Sequence, residues 1–327
     1  MNPLIDPSGR QVDYLRISVT DRCNERCLYC LTENHAGWMP RAEVLNDAEL
    51  IAIVQSALSL GFTRFRVTGG EPLLRAGIVD LIGRIIALPG VEAVMLTTNG
   101  ILLPALARQL YDVGLRSINI SLDALDAATY RTITGGDVEP VLRGIELVKK
   151  IGFPSVKLNT VLMRGKNEQE ILPLLHYAAR LDVAIRFIEL MPVSSTEMMK
   201  DTIFLPISEI RILLQQQDTL IPLDDHFGFG PAKYYRLSKL GATVGLIGAM
   251  SDLHFCDRCN KIRLTSDGKL RPCLGNHLET NLMPALRPAL NQPALRKLFL
   301  STLAEKPEEH SFRRQFVPLR GMTAIGG

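Results

Sequence analysis

The sequence lacks any run of the roughly 18 uninterrupted apolar residues that a membrane-spanning helix requires. Its opening, MNPLIDPSGRQVDYLR, lacks the apolar stretch of a secretory signal, so a cytoplasmic protein with no membrane partner is expected. A strong charge of either sign is also missing. With 37 Lys and Arg against 34 Asp and Glu, the formal charge is +3, and composition gives no reason to expect a nucleic-acid partner. No G-x4-G-K-[ST] loop is present, so a nucleotide would have to be gripped by side chains from several strands. Low-complexity segments are absent, and the only repetition is an alternation of β and α patterns. Cysteine is scarce. The six thiols are not expected to form a disulfide framework in a reducing compartment, so their placement carries the information: Cys23, Cys27 and Cys30, then, far down the chain, Cys256, Cys259 and Cys273.

What the chain does have is a 46% hydrophobic content, enough for a large core, and a regular alternation of elements from Tyr14 to Met191. The strand candidates are YLRISV, RFRVTGG, AVMLTTNG, SINISLD, VKLNTVL and AIRFIEL. Between them lie DAELIAIVQSALSLG, IVDLIGRIIAL, LPALARQLYDVG, VEPVLRGIELVKKIG and NEQEILPLLHYAARL, with apolar residues at helical spacing. Crossovers of that length imply a parallel sheet, and six units where a full barrel has eight suggest an incomplete (βα)6 TIM-like barrel, with an open sheet as the alternative. The alternation stops around Pro192 to Ile221. Residues 232–248 read as a hairpin or meander turning at Lys239 to Gly241. A boundary near 195–205 is expected, dividing the chain into residues 1–200 and 201–327.

Alternation along the strands puts Arg16 and Ser18 on one face of the first strand, and Arg64, Arg66 and Thr68 on one face of the second. Lys157 and Arg186 also sit among apolar neighbours. Strands of a parallel sheet are normally buried on both faces, and an unpaired buried charge is strongly unfavourable. Each cation alone could have an internal partner, for instance Arg186 with Glu189. Together they predict a polyanion such as a triphosphate, which suits the fork of arginine.

Cys23, Cys27 and Cys30 follow directly after the first strand, at the end of a parallel β unit where ligands usually bind. A four-iron cube is ordinarily held by four thiolates, so three leave one iron with an open position. A zinc with His35 as fourth ligand is the alternative, but C-x3-C-x2-C with Tyr29 before the last cysteine is a narrower pattern than a zinc pair. The segment FCDRCNKIRLTSDGKLRPCLG again offers three thiols, as C-x2-C-x13-C. Taken alone it admits a zinc completed by His254 or His277 as readily as iron.

CNERCLYC resembles the C-x3-C-x-aromatic-C motif of radical S-adenosylmethionine (SAM) enzymes. The resemblance implies a [4Fe-4S] cluster on Cys23, Cys27 and Cys30, with SAM on the iron that has no cysteine. It also implies SAM contacts at Tyr29, at Gly69, Gly70 and Glu71 of TGGEP, and at Ser121 and Met191. The run from Cys256 to Leu274 is similar to that of one branch of this superfamily, the GTP-cyclising lyases that open molybdenum cofactor biosynthesis. That resemblance extends from about Gly9 to Gly327. It implies a second [4Fe-4S] cluster on Cys256, Cys259 and Cys273, and a smaller C-terminal α+β domain covering the barrel's open side. GTP contacts are implied at Arg16, Arg66, Thr97, Lys157, Lys261, Ile262 and Arg263, with Arg64 and Arg186 as phosphate ligands. The tail Gly326-Gly327 would thread into the active site. The implied reaction starts with a 5′-deoxyadenosyl radical, takes hydrogen from ribose C3′, joins C3′ to C8, and yields (8S)-3′,8-cyclo-7,8-dihydro-GTP. A reducing electron donor, a homodimer, and a cyclic pyranopterin monophosphate synthase taking the product complete the implied partners. The chain departs from the family pattern at Lys261, where Arg is common, and at Leu31 and Thr32, where Met-Pro is usual.

Overall fold

The structure is a computed structural model and describes residues 4–31, 37–194, 202–223, 229–314 and 316–326. The six strand candidates form six parallel strands lying side by side in sequence order: β1 (Tyr14–Ser18), β2 (Arg64–Thr68), β3 (Ala93–Thr98), β4 (Ser117–Ser121), β5 (Ser155–Leu162) and β6 (Ala184–Glu189). Their crossovers are α1 (Asp47–Leu58), α2 (Ile78–Ile86), α3 (Leu103–Asp112), α4 (Ala127–Thr134) with α5 (Val138–Ile151), and α6 (Ile171–Arg180). Local chemistry sets their ends. Asn46 and Glu49 form a reciprocal capping box at the start of α1, and Gly152 closes α5 in the left-handed conformation that favours glycine. The short α4 was not anticipated from the sequence.

The rest of the chain gives α7 (Ile207–Gln217), β7 (Leu220–Pro222), β8 (Lys233–Leu237), β9 (Thr243–Ile247), β10 (Lys261–Leu264), β11 (Lys269–Arg271), β12 (Thr280–Asn281), α8 (Met283–Leu286), α9 (Gln292–Ala304) and α10 (Met322–Ile325). The expected hairpin is β8 and β9, paired antiparallel. These later strands extend the barrel sheet at both sides: β10 pairs parallel with β1, and β9 pairs parallel with β6. The result is one twelve-stranded sheet in the order β12-β11-β10-β1-β2-β3-β4-β5-β6-β9-β8-β7, with the six parallel strands of the expected incomplete barrel at its centre and the C-terminal strands on either side. Among the described residues no helix is long and apolar enough to cross a membrane.

One face of every barrel strand is apolar. Leu15, Ile17, Phe65, Val67, Leu96, Ile118, Ile120, Leu158, Ile185 and Phe187 pack against the helices, and the same core continues into Val244, Leu264, Leu270 and Phe299 of the C-terminal part. Each such side chain, fully buried, contributes about 2 kcal/mol. Because side chains alternate, the positions between them project from the opposite, concave face, and these carry the chemistry.

Candidate active site

The concave face encloses a cavity of about 470 Å3, within the usual range for a small-molecule site. Arg16, Arg66, Lys157 and Arg186 line it from the barrel strands, Lys261 and Arg263 from β10, and among the described residues no Asp or Glu lines it. Arg263, Arg16 and Arg66 occupy one rung on three adjacent strands, about 4.8 Å apart, where like charges destabilise a sheet. Burial is the largest cause, followed by the charge of Arg263, that holds Arg16 well below the ordinary arginine range. Burial, then the Arg186 and Arg66 charges, push Lys157 down to about 8. Burial leads again at Arg263, brought down to about 10. Arg186 is buried with its Nε and Nη2 making no hydrogen bond among the described residues. Glu189 does not pair with it. That carboxylate instead accepts the amides of Ile207 (2.7 Å), Met250 (2.7 Å) and Ser251 (3.0 Å). Arg66 donates to the Tyr14 hydroxyl and to Thr97 Oγ1 at 3.2 Å.

Two expected substrate residues stand elsewhere. Arg64, at the start of β2, pairs with Asp13 and, at 3.3 Å, with Glu92, so carboxylates satisfy its charge outside the cavity lining. Ile262 is out of phase with its neighbours: its side chain lies in the core while Lys261 and Arg263 face the cavity. Conversely, Asn119 and Asn159 line the cavity with buried Oδ1 atoms that have no partner among the described residues. The alternation that picked out Lys157 also puts Asn159 on its face, and neutral amides carried no alarm in the sequence.

The Cys23–Cys30 loop leaves the end of β1 and is pinned by α4. Amides of Arg26 and Leu28 donate to the carbonyls of Thr134 (2.7 Å) and Ile133 (2.9 Å), satisfying the end of that helix. Gly69 and Gly70 hold the end of β2 against the same loop. A Cβ on Gly70 would come within 2.2 Å of the Arg22 carbonyl oxygen, and the Gly70 and Glu71 amides donate at 2.7 Å to Thr20 and Arg22. The space that a side chain would need at these glycines is thus taken by backbone. Glu71 accepts from Leu73 N (2.9 Å), Thr98 Oγ1 (2.8 Å) and Asn99 N (2.7 Å), tying β2 to β3. The Tyr29 hydroxyl donates to Asp123 at 2.7 Å, and Tyr130 of α4 donates to Glu25 at 2.7 Å. Ser121 closes β4, and Met191 lines the cavity.

Among the described residues no group of three or more His, Cys, Asp or Glu is arranged to hold a single metal ion. The donor chemistry nonetheless fits a cluster. Burial pushes the thiols of Cys23 up to about 11 and of Cys30 up to about 12, and each of the three lies within electrostatic reach of another. Such thiols give up their protons only to a strongly bound cation centre. Cys256, Cys259 and Cys273 form a second such set and line the cavity. Burial would raise Cys259, but Lys306 and Lys261 outweigh it and bring the thiol down to about 7. His35 lies outside the described residues. His254 pairs with Asp257 at 2.8 Å, and His277 stacks on Phe316.

The C-terminal tail meets the ends of β1 and β2. The Gly326 carbonyl accepts from Arg263 at 2.6 Å, and a Cβ on Gly326 would sit 2.7 Å from Thr68 Cγ2 and 3.2 Å from Ser18 Cβ. Arg320 anchors this tail through two 2.6 Å hydrogen bonds to Asp267. Gly327 lies outside the described residues.

This geometry agrees with what the chain resembles. Residues 17–178 match the Radical SAM superfamily, which implies a [4Fe-4S] cluster and SAM, and residues 183–312 match Molybdenum Cofactor Synthesis C. Among solved structures, Streptococcus suis SuiB bound to precursor peptide SuiA superposes with a TM-score of 0.59 at 15% identity, covering 93% of this chain and 67% of SuiB. Native anSMEcpe with bound AdoMet gives 0.57 at 17% identity, covering 91% and 82%. At those identities the likeness is one of fold. Curated relatives are nearer: the GTP 3′,8-cyclase of Pelotomaculum thermopropionicum is 40% identical over 324 residues, covering 98% of this chain and 99% of that one. That of Pseudomonas putida strain W619 is 42% identical over 330 residues, covering 99% and 98%. By that identity over nearly the whole of both chains, the protein belongs to the GTP 3′,8-cyclase family of radical SAM proteins.

Proposed function

We propose that this chain cyclises GTP to (8S)-3′,8-cyclo-7,8-dihydro-GTP, the first step of molybdenum cofactor biosynthesis. The observation that carries the reading is the cavity with Arg16, Arg66, Lys157, Arg186, Lys261 and Arg263 in its walls and no carboxylate among its described lining residues. A wall rich in cations suits a ligand that brings negative charge, and guanidinium forks match phosphate oxygens in pairs. Thr97, Asn119 and Asn159 offer neutral polar groups on the same face, suited to the ribose and base. Lys261 grips as a point charge without the paired bonds of an arginine.

Held by Cys23, Cys27 and Cys30, the cluster with SAM would supply the radical that takes hydrogen from ribose C3′. Tyr29, Gly69, Gly70, Glu71, Ser121 and Met191 are assigned to the SAM side of the site. Gly326 and Gly327 are assigned to the boundary between SAM and GTP, where Gly326 already accepts from Arg263. Cys256, Cys259 and Cys273 are assigned to a second [4Fe-4S] cluster on the GTP side, since all three line the cavity. Residues 1–200 form the SAM-binding part, and 201–327 the part that carries the second cluster and the tail. The enzyme works in the cytoplasm as a homodimer, takes electrons from a reducing donor, and hands its product to the cyclic pyranopterin monophosphate synthase.

Anaerobic incubation of iron-reconstituted protein with SAM and dithionite, with and without GTP, tests this reading. GTP-dependent 5′-deoxyadenosine together with a cyclised dihydro-GTP is the expected result. Deoxyadenosine that ignores GTP would retain the radical chemistry and remove the substrate.

A further inference from the structure

After α9 the chain turns back over the second cysteine set in the segment KPEEH, residues 306–310, which the proposed chemistry does not use. Lys306 is only 3% exposed. Its ammonium lies 3.4 Å from Cys259 Sγ, 3.0 Å from the Lys261 carbonyl and 2.9 Å from the Pro272 carbonyl, which engages all three of its protons. No carboxylate pairs with it among the described residues. A lysine at this depth is costly unless a negative centre meets it. The two carbonyls belong to the segments that carry Cys259 and Cys273, so one side chain joins both. Arg10 ties down the remaining part of the set. Its Nη1 donates to the carbonyls of Cys256 (3.0 Å) and Glu308 (2.6 Å), and its Nη2 donates to that of Pro307 (2.6 Å).

We propose that Lys306 is a positioning residue for the cluster at Cys256, Cys259 and Cys273: it fixes the two cysteine segments against each other and, by donating to the Cys259 sulfur, raises the cluster's reduction potential. The inference rests on the second cluster proposed above. A hydrogen bond or a cation at a ligating sulfur draws electron density from the cluster and favours its more negative, reduced state. Lys306 thus acts on the cluster, whereas the cavity cations serve the substrate.

The test compares full-length wild type with Lys306→Met and Lys306→Arg after anaerobic reconstitution. Iron is counted, and potentials are read by paramagnetic resonance during a redox titration. The signal unmoved by added SAM identifies the second cluster. Wild type should hold about eight irons per chain. Lys306→Met should either keep them with the SAM-insensitive signal shifted to lower potential, or lose the irons of that cluster, and Lys306→Arg should restore the wild-type behaviour. About eight irons at an unchanged potential in Lys306→Met, or an arginine variant as impaired as the methionine one, would overturn the role of the charge. A wild type with about four irons, unaltered by Cys256→Ala, would instead overturn the second cluster itself and this proposal with it.

Discussion

Lys157 shows how a single strand position can couple substrate to proton. Burial and the neighbouring Arg186 and Arg66 charges bring it down to about 8, so in mildly alkaline solution much of it is neutral. A bound polyanion stabilises the ammonium and raises that value. GTP binding should therefore take up a proton near pH 8, and affinity should fall as pH rises through that value. Folding responds in the opposite sense. Between about 8 and about 10.4 the unfolded lysine binds more protons than the folded one, so this residue's contribution to stability improves with rising pH. Calorimetric titration of GTP in two buffers of different ionisation enthalpy checks the binding claim: proton uptake near pH 8 in wild type should vanish in Lys157→Met. Equal uptake in both would assign the proton to another group. Gly326 makes a second residue-scale prediction. At φ 87° and with its would-be Cβ 2.7 Å from Thr68 Cγ2, Gly326→Ala must displace the tail from Arg263. We expect at least a roughly tenfold loss of GTP-dependent deoxyadenosine formation, a cost of about 1.4 kcal/mol or more, with little change in melting temperature. Thr68→Ser, which removes the clashing methyl, should recover part of it.

Among the elements, α4 acts on the site from a distance. Its last carbonyls hold the cysteine loop, and its Tyr130 holds Glu25 beside Cys27. Asp126 caps its start by accepting from Thr129 N at 2.8 Å. Asp126→Ala should lower the melting temperature and should increase hydrogen exchange at Arg26 and Leu28. Unchanged exchange there would mean the loop does not depend on this helix. The helix was hidden in the sequence because AATYRTIT has no apolar stripe and four of its eight residues are β-branched. The strands were plain for the opposite reason: buried parallel strands must be apolar on the helix face, so any charge among them stands out. Alternation assigned a face correctly but could not say what lay opposite. Arg64 and Arg66 share a phase, yet Asp13 and Glu92 meet the first and only the second lines the cavity. In TGGEP the motif was readable and its backbone neighbour was not, because Thr20–Arg22 come from another strand end. Lys306 gave no sequence signal at all, since a lysine after a helix is ordinarily solvated.

At the scale of the molecule, the proposed division at residue 200 separates two sets of cysteines but does not separate two sheets. β10 covers the edge of β1 and β9 covers the edge of β6, so the C-terminal part supplies the neighbours on both sides of the barrel strands. The core is likewise continuous, with Leu15, Phe65 and Ile185 in the same cluster as Leu264, Phe299 and Val244. Removing the C-terminal part would leave two strand edges with unpaired amides and carbonyls and would uncover apolar surface beside them. The two parts should consequently unfold together. Calorimetry of the cluster-free chain is expected to give one transition whose calorimetric and van't Hoff enthalpies agree, and a fragment ending at residue 200 should be insoluble or bind hydrophobic dyes. Two resolved transitions would mean that the shared sheet couples the parts too weakly to make them one cooperative unit. Such coupling also matters to the chemistry, because the six cavity cations come from both parts, four on barrel strands and two on β10. Strand pairing between β1 and β10 sets the rung on which Arg16 and Arg263 face each other, so the grip on a polyanion depends on the same hydrogen bonds that hold the sheet together.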